Sequence, residues 1–200
     1  MSRSKIRIAV AAVALLAVAS LTAPASAAPS RQDEATAADG CAIDWGSLAK
    51  KRAVNRHTTA PVKNVRSGRH QCFDRLVIDL GAQAKSPAGQ KLGYRVRYVS
   101  SVVQPGSGDK LSLAGGAAIQ VTLNAPAYNA KGKPTYTPAD PMNVVNVTGY
   151  STFRQVAFAG SFEGQTVLGI GVRAKLPMRV MILSGPGDGR RLVIDVAHKW

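Results

Sequence analysis

The chain has 200 residues, with 26 Lys and Arg against 11 Asp and Glu and a formal charge of +15. That length suits a single domain once processing is allowed for, and the basic balance draws a protein to polyanions such as wall polymers, anionic headgroups or stray nucleic acid. Two cysteines and three scattered histidines (His57, His70, His198) exclude a multi-disulfide scaffold and show no zinc-ligand spacing, so no metal and no cofactor is expected.

Arg3, Lys5 and Arg7 precede an apolar run from Ile8 to Leu21, and Ala25-Ser26-Ala27 places small residues around a cleavage point. This is the layout of a secretory signal peptide over residues 1–27. A spanning helix needs about 20 apolar residues. The run is shorter, stops before Pro24 and has no longer successor, so no transmembrane segment is expected. The expected location is secreted and extracellular, with the cell wall as one destination. Removing Arg3, Lys5 and Arg7 with the segment lowers the charge from +15 to +12. Residues 28–40 are small, polar and acidic-leaning, which reads as a disordered leader. Residues 41–200 then form one β domain.

Cys41 and Cys72 both fall in the exported part, where an even count points to a disulfide. Ile43 to Arg56 has the spacing of a short basic amphipathic helix. Lys50, Lys51, Arg52, Arg56, Lys63, Arg66 and Arg69 follow one another without an acid between them. Arg75-Leu76-Val77-Ile78-Asp79-Leu80 then reappears near the C-terminus as Arg191-Leu192-Val193-Ile194-Asp195-Val196. Each copy follows a glycine-bearing basic turn and an apolar run, so the pair reads as two similar β-hairpins near either end of the domain.

Between the copies, Tyr94 to Val99 alternates with period two, setting Tyr94, Val96 and Tyr98 on one face and Arg95 and Arg97 on the other. Ala118 to Leu123 alternates likewise. Ala125 to Pro141 carries four prolines and is expected to be a long surface loop holding Tyr128 and Tyr136. Tyr150 to Val156 suggests a single helical turn. Gln165 to Arg173 reads as a strand whose Gly169 and Gly171 mark a bulge or a close backbone approach. Met178 to Leu183 and Arg191 to Ala197 close the series. The expected class is all-β with few short helices, as a β-sandwich or open barrel with a duplicated hairpin.

The runs Gly68 to Val77, Tyr94 to Val99, Phe153 to Val156, Gly160 to Thr166, Gly169 to Ala174 and Asp195 to Trp200 together resemble the secreted AMIN-like domain proteins of actinobacteria. The likeness covers about residue 62 to the C-terminus. It implies kinship with the N-terminal targeting domain of cell-wall amidases, a β-sandwich of two related sheets that binds peptidoglycan. It implies no catalytic residues.

Four constellations invite chemistry. Asp79 and Asp195 are paired carboxylates, but their place in a repeat predicts a shared structural role, such as an ion pair with a neighbouring arginine. Ser161 has a glycine one residue too close for a nucleophile elbow. His198 shows no orienting partner. Gly185 to Gly189 is glycine-rich but leads into a strand, so it reads as a turn rather than a phosphate loop. The expected binding groups are Arg95 and Arg97 on one strand and Arg173 and Lys175 on another. If those strands are neighbours, they make a flat basic patch for carboxylates or phosphates. Tyr128, Tyr136 and Tyr150 would supply a platform for sugar rings. Trp45 and Trp200 are expected to cover the two ends of the core.

The function expected is a non-catalytic cell-envelope binding module for peptidoglycan or an anionic wall polymer, with no specific nucleic-acid partner. The alternatives are an envelope-acting hydrolase using Asp or His, and an extracellular protein-interaction module.

Overall fold

Arg75 and Arg191 open two strands that lie side by side, so the repeat of the sequence becomes the centre of one sheet. The computed structural model describes residues 41–55, 57–82 and 91–200. The expected signal segment and leader lie outside the described residues, as does Arg56.

The strands in chain order are β1 (Lys50–Arg52), β2 (Val62–Arg69), β3 (Phe73–Leu80), β4 (Gly93–Val99), β5 (Val102–Val103), β6 (Lys110–Leu111), β7 (Ala117–Asn124), β8 (Phe153–Phe162), β9 (Gln165–Val172), β10 (Met178–Ser184) and β11 (Arg190–Ala197). One sheet runs β1-β4-β7-β9-β8 and a second β10-β11-β3-β2, with β5 and β6 as a separate small hairpin. The pairings within the sheets are antiparallel. Neither sheet closes into a barrel, and the fold is all-β and sandwich-like.

The alternation of the sequence builds the core. Leu76, Ile78 and Leu80 of β3 and Leu192, Ile194 and Val196 of β11 point inward and meet Val96, Ile119, Val121, Leu123, Leu168 and Ile170 of the other sheet. Tyr94 and Tyr98 pack on the same core from β4, on the face that the period-two pattern requires.

The two expected hairpins are present as β2–β3 and β10–β11. Both lie in the four-stranded sheet, joined by β3 against β11. The two-fold relation is therefore internal to one sheet, not a relation between two sheets as the resemblance implied. Its axis passes through the pair Val77 and Val193.

Helices are absent among the described residues, which corrects the few short ones expected. Lys50 to Arg52, in the middle of the expected amphipathic helix, is an edge strand whose Lys51 pairs with Arg95. Tyr150 to Val156 is not a helical turn but the run into β8, because backbone N–H groups of Thr152 and Phe153 are held by the buried Asp74 carboxylate at 2.6 and 2.9 Å. Each case is a short local preference overridden by pairing with a neighbour.

Candidate functional site

Among the described residues no strand covers the outer face of the four-stranded sheet, and that face is built from the repeat. Alternation sends Arg75, Val77 and Asp79 outward from β3 and Arg191, Val193 and Asp195 outward from β11. Val77 and Val193 face away from the core yet keep only 6% and 1% of their surface exposed. Arg66, Arg75, Arg191 and Leu183 stand around them and frame a shallow depression of about 220 Å³. Arginine stems cover apolar surface while their forks stay at the rim.

Two carboxylates lock the forks. Asp195, wholly buried, accepts Arg75 Nε at 2.6 Å and Nη2 at 2.9 Å, and Arg179 Nε at 2.8 Å. Asp79 accepts Arg66 Nε at 2.8 Å and Nη2 at 3.1 Å. The Arg66 and Arg75 guanidiniums are raised above their ordinary pKa, chiefly by these hydrogen bonds and against the cost of burial. Three arginines, Arg66, Arg75 and Arg179, thus share two acids, and with Arg191 beside them they leave a net positive face whose paired donors are fixed in place. The expected structural role of Asp79 and Asp195, an ion pair with a neighbouring arginine, is what the structure shows.

Aromatic rings extend one end of this row. Arg179 stacks 4.1 Å from the Trp45 ring centroid, and Phe73 meets Trp45 edge-on at 5.6 Å. His70 stacks on Phe73 at 4.5 Å. Trp45 is held there by its surroundings: the Cys41–Cys72 disulfide ties its segment to the start of β3, and Met178 N donates to Gly46 O at 2.9 Å. The bridge forms as expected. Trp45 therefore lies on the outer face of a sheet rather than at an end of the core. Trp200 is 70% exposed and covers nothing; its Nε1 donates to Lys175 O.

The outer face of the five-stranded sheet is largely closed. Residues 100–116, with β5 and β6, fold across it and form a small second core of Val102, Leu111 and Leu113 against Ala118, Ala159 and Val167. Gly169 and Gly171 floor this contact. A Cβ on Gly171 would meet Ala114 O at 2.1 Å, and one on Gly169 would meet Leu113 Cδ1 at 2.7 Å. Of the bulge or close backbone approach expected at these glycines, the close approach is present at Gly171, while Gly169 makes room for side chains.

Arg95 and Arg97 share the uncovered edge of that face with Lys51. Arg173 and Lys175 do not join them, because β7 lies between β4 and β9. Arg173 instead turns to the chain's end, donating to Ser151 O and to His198 O, and Lys175 stands 5.9 Å from the Tyr98 ring. The four cations make no single patch.

Tyr128 and Tyr136 are brought together. With Phe158, Pro134, Pro138 and Pro141 they line a groove of about 390 Å³. Tyr136 meets Phe158 edge-on at 5.3 Å, and burial pushes its phenol up to about 12. Tyr128 accepts Gly164 N at 2.8 Å. Tyr150 is elsewhere, its hydroxyl 3.0 Å from Ser67 Oγ.

The groups that suggested hydrolysis are occupied. Ser161 Oγ accepts Ala127 N at 2.9 Å and donates to Gln165 O at 3.0 Å. His198 does have a partner, the buried Asp74, 3.0 Å from Nε2, while Nδ1 lies 3.1 Å from Gln71 O. Both ring nitrogens are engaged in fixing the segment after β11, and among the described residues neither is hydrogen-bonded to a hydroxyl. Asp74 was not legible as that partner, since 124 residues separate the two. The arginine face was also missed. Its signal was the repeat itself, read as architecture only.

The family model of the AMIN-like domain matches residues 60–198, and the chain belongs to that family. No curated protein matches it.

Proposed function

We propose that this AMIN-like chain is a secreted, non-catalytic module that binds the cell envelope through the outer face of its four-stranded sheet. Membership of the family associates the chain with peptidoglycan in general terms. One observation carries the finer reading: three arginines share two aspartates, with Arg191 beside them, on one outer sheet face with an aromatic end. Forks held by in-plane acids keep further N–H donors for a ligand and need little ordering on binding. Peptide-stem carboxylates and wall-polymer phosphates are the groups such a face suits.

Arg95 and Arg97, with Lys51 beside them, are a second and smaller cationic edge. Tyr128 and Tyr136 offer their groove as the place where a sugar ring stacks. Arg173 and Lys175 contribute through long-range charge. The absence of catalysis in this reading rests on the engaged state of His198, Ser161, Asp79 and Asp195.

The test is retention of the exported chain (28–200) on purified peptidoglycan, with and without attached anionic polymers, across a salt series. Retention beyond about 0.5 M salt, where the Debye length is roughly 4 Å, is the expected result. Loss of it in an Arg75→Gln, Arg179→Gln double variant, but not in Arg95→Gln, Arg97→Gln, places it on the four-stranded sheet. Absence of retention by the unaltered chain overturns the reading in favour of a protein-interaction module.

A further inference from the structure

The two-fold relation in the four-stranded sheet is broken at one place. Pairing about Val77 and Val193 sets Arg75 opposite Asp195 and Arg191 opposite Asp79. The first couple closes, with Arg75 donating Nε and Nη2 to the two oxygens of Asp195. The second does not close. Both oxygens of Asp79 are already taken by Arg66 from the other neighbouring strand. Arg191 gives Nη2 to Ser184 O at 3.0 Å, and its Nε is buried with no acceptor among the described residues.

A buried donor without an acceptor is destabilising, because its lost hydration is not replaced. Of the two arginines within reach of Asp79, Arg66 is the solvent-facing one, with 49% of its side chain exposed. Arg66 and Arg191 also wall a depression of about 540 Å³ together with the Gly185–Gly189 turn and Asp79 to Ala82. Removing Arg66 from Asp79 would ordinarily strand a carboxylate. Here a second guanidinium stands opposite Asp79 in the register that Arg75 and Asp195 already use.

We propose that Arg66, Asp79 and Arg191 form an exchangeable carboxylate-binding subsite. A ligand carboxylate takes the fork of Arg66, and Asp79 passes to Arg191, closing the second couple in the form of the first. One ion pair becomes two, no carboxylate is stranded, and the orphan donor gains its acceptor. The fork of Arg66 already makes two parallel bonds to a carboxylate, so the exchange replaces like with like. The subsite rests on the proposed envelope-binding reading and names the group bound, a free carboxylate of a peptide stem. Arg66 is the contact; Arg191 is a positioning residue.

The test titrates the folded chain with a soluble muropeptide bearing free stem carboxylates and with the same muropeptide fully amidated, alongside retention on whole peptidoglycan. The free acid is expected to bind about tenfold or more tightly than the amide, as a charge-assisted bond of at least 1.5 kcal/mol requires. Arg66→Gln should erase that preference, and Arg191→Gln should reduce it. The Arg191 Nε–H resonance should move with the free acid and stay with the amide. Equal affinities, or an unmoved Arg191 resonance, overturn the subsite. If whole peptidoglycan is still retained through salt in that case, the envelope reading survives. If retention fails as well, both fall.

Discussion

Arg75 lies directly opposite Asp195 on adjacent antiparallel strands and closes on it with two hydrogen bonds, at 2.6 and 2.9 Å. The two residues are 120 apart in sequence and occupy opposite ends of the two copies of one motif. This contact therefore joins the two hairpins across the centre of the sheet.

Asp195 is the acid on which that junction depends, since it also holds Arg179. Asp195→Ala leaves two guanidiniums without their anion on a partly covered face. A loss of about 3 kcal/mol is expected, the lower end for breaking a buried pair, because Arg75 and Arg179 both reach water. Chemical denaturation of the variant checks it. A loss below about 1 kcal/mol would mean the pair is little better than a surface bridge.

Gly171 admits the backbone of Ala114 so closely that a methyl group there would lie 2.1 Å from a carbonyl oxygen. Gly171→Ala should cost about 1–3 kcal/mol and lift residues 100–116 from the sheet. Hydrogen exchange is the suitable measurement, with faster exchange expected at Gly116 N, which bonds to Val172 O. Unchanged protection would contradict the close packing.

Cys41 and Cys72 close a 31-residue separation, for which loop-closure entropy gives roughly 3–4 kcal/mol. The Cys41→Ser, Cys72→Ser pair should lose about that much. It should also release Trp45 from Arg179, seen as a red-shifted and more quenchable tryptophan emission. A blue or unchanged emission would show that the segment docks without the bridge.

Tyr136 supplies the pH prediction. Burial raises its folded-state pKa from the ordinary value of 10 to about 12. The neutral phenol is the form the groove favours, so the stabilisation is complete below pH 10 and lost as pH rises toward about 12. Phenolate absorbance should show Tyr136 titrating late, with Tyr98 also raised by burial, and Phe158→Ala, which opens the groove, should bring the Tyr136 step down. Tyrosines that all titrate together near 10 would refute the buried placement.

Much of the fold was legible because β alternation is local. Tyr94, Val96 and Tyr98 face the core because successive side chains of any strand point to opposite sides. The same rule put Arg95 and Arg97 outward. It carries no information on which strand lies beside them, so a patch shared with Arg173 and Lys175 is conditional on adjacent strands, and β7 interrupts it. The short helix over Ile43 to Arg56 failed for a related reason. Lys50 to Arg52 gains its hydrogen bonds from β4, a partner about 40 residues later that no local pattern announces.

The sequence by itself determined the class, the long alternating strands such as Tyr94 to Val99, the disulfide partners and the existence of a duplicated hairpin, because each follows from period, composition or count along a short stretch. Tertiary structure alone decided that the two hairpins share one sheet, that one outer face is closed by residues 100–116 and the other left open, and that Asp79 goes to Arg66 while Arg191 goes without. Those outcomes are set by which strands become neighbours and which of two donors reaches one acceptor first. Two motifs that differ by one conservative change differ little in local physics; what separates them is what the rest of the chain packs against them.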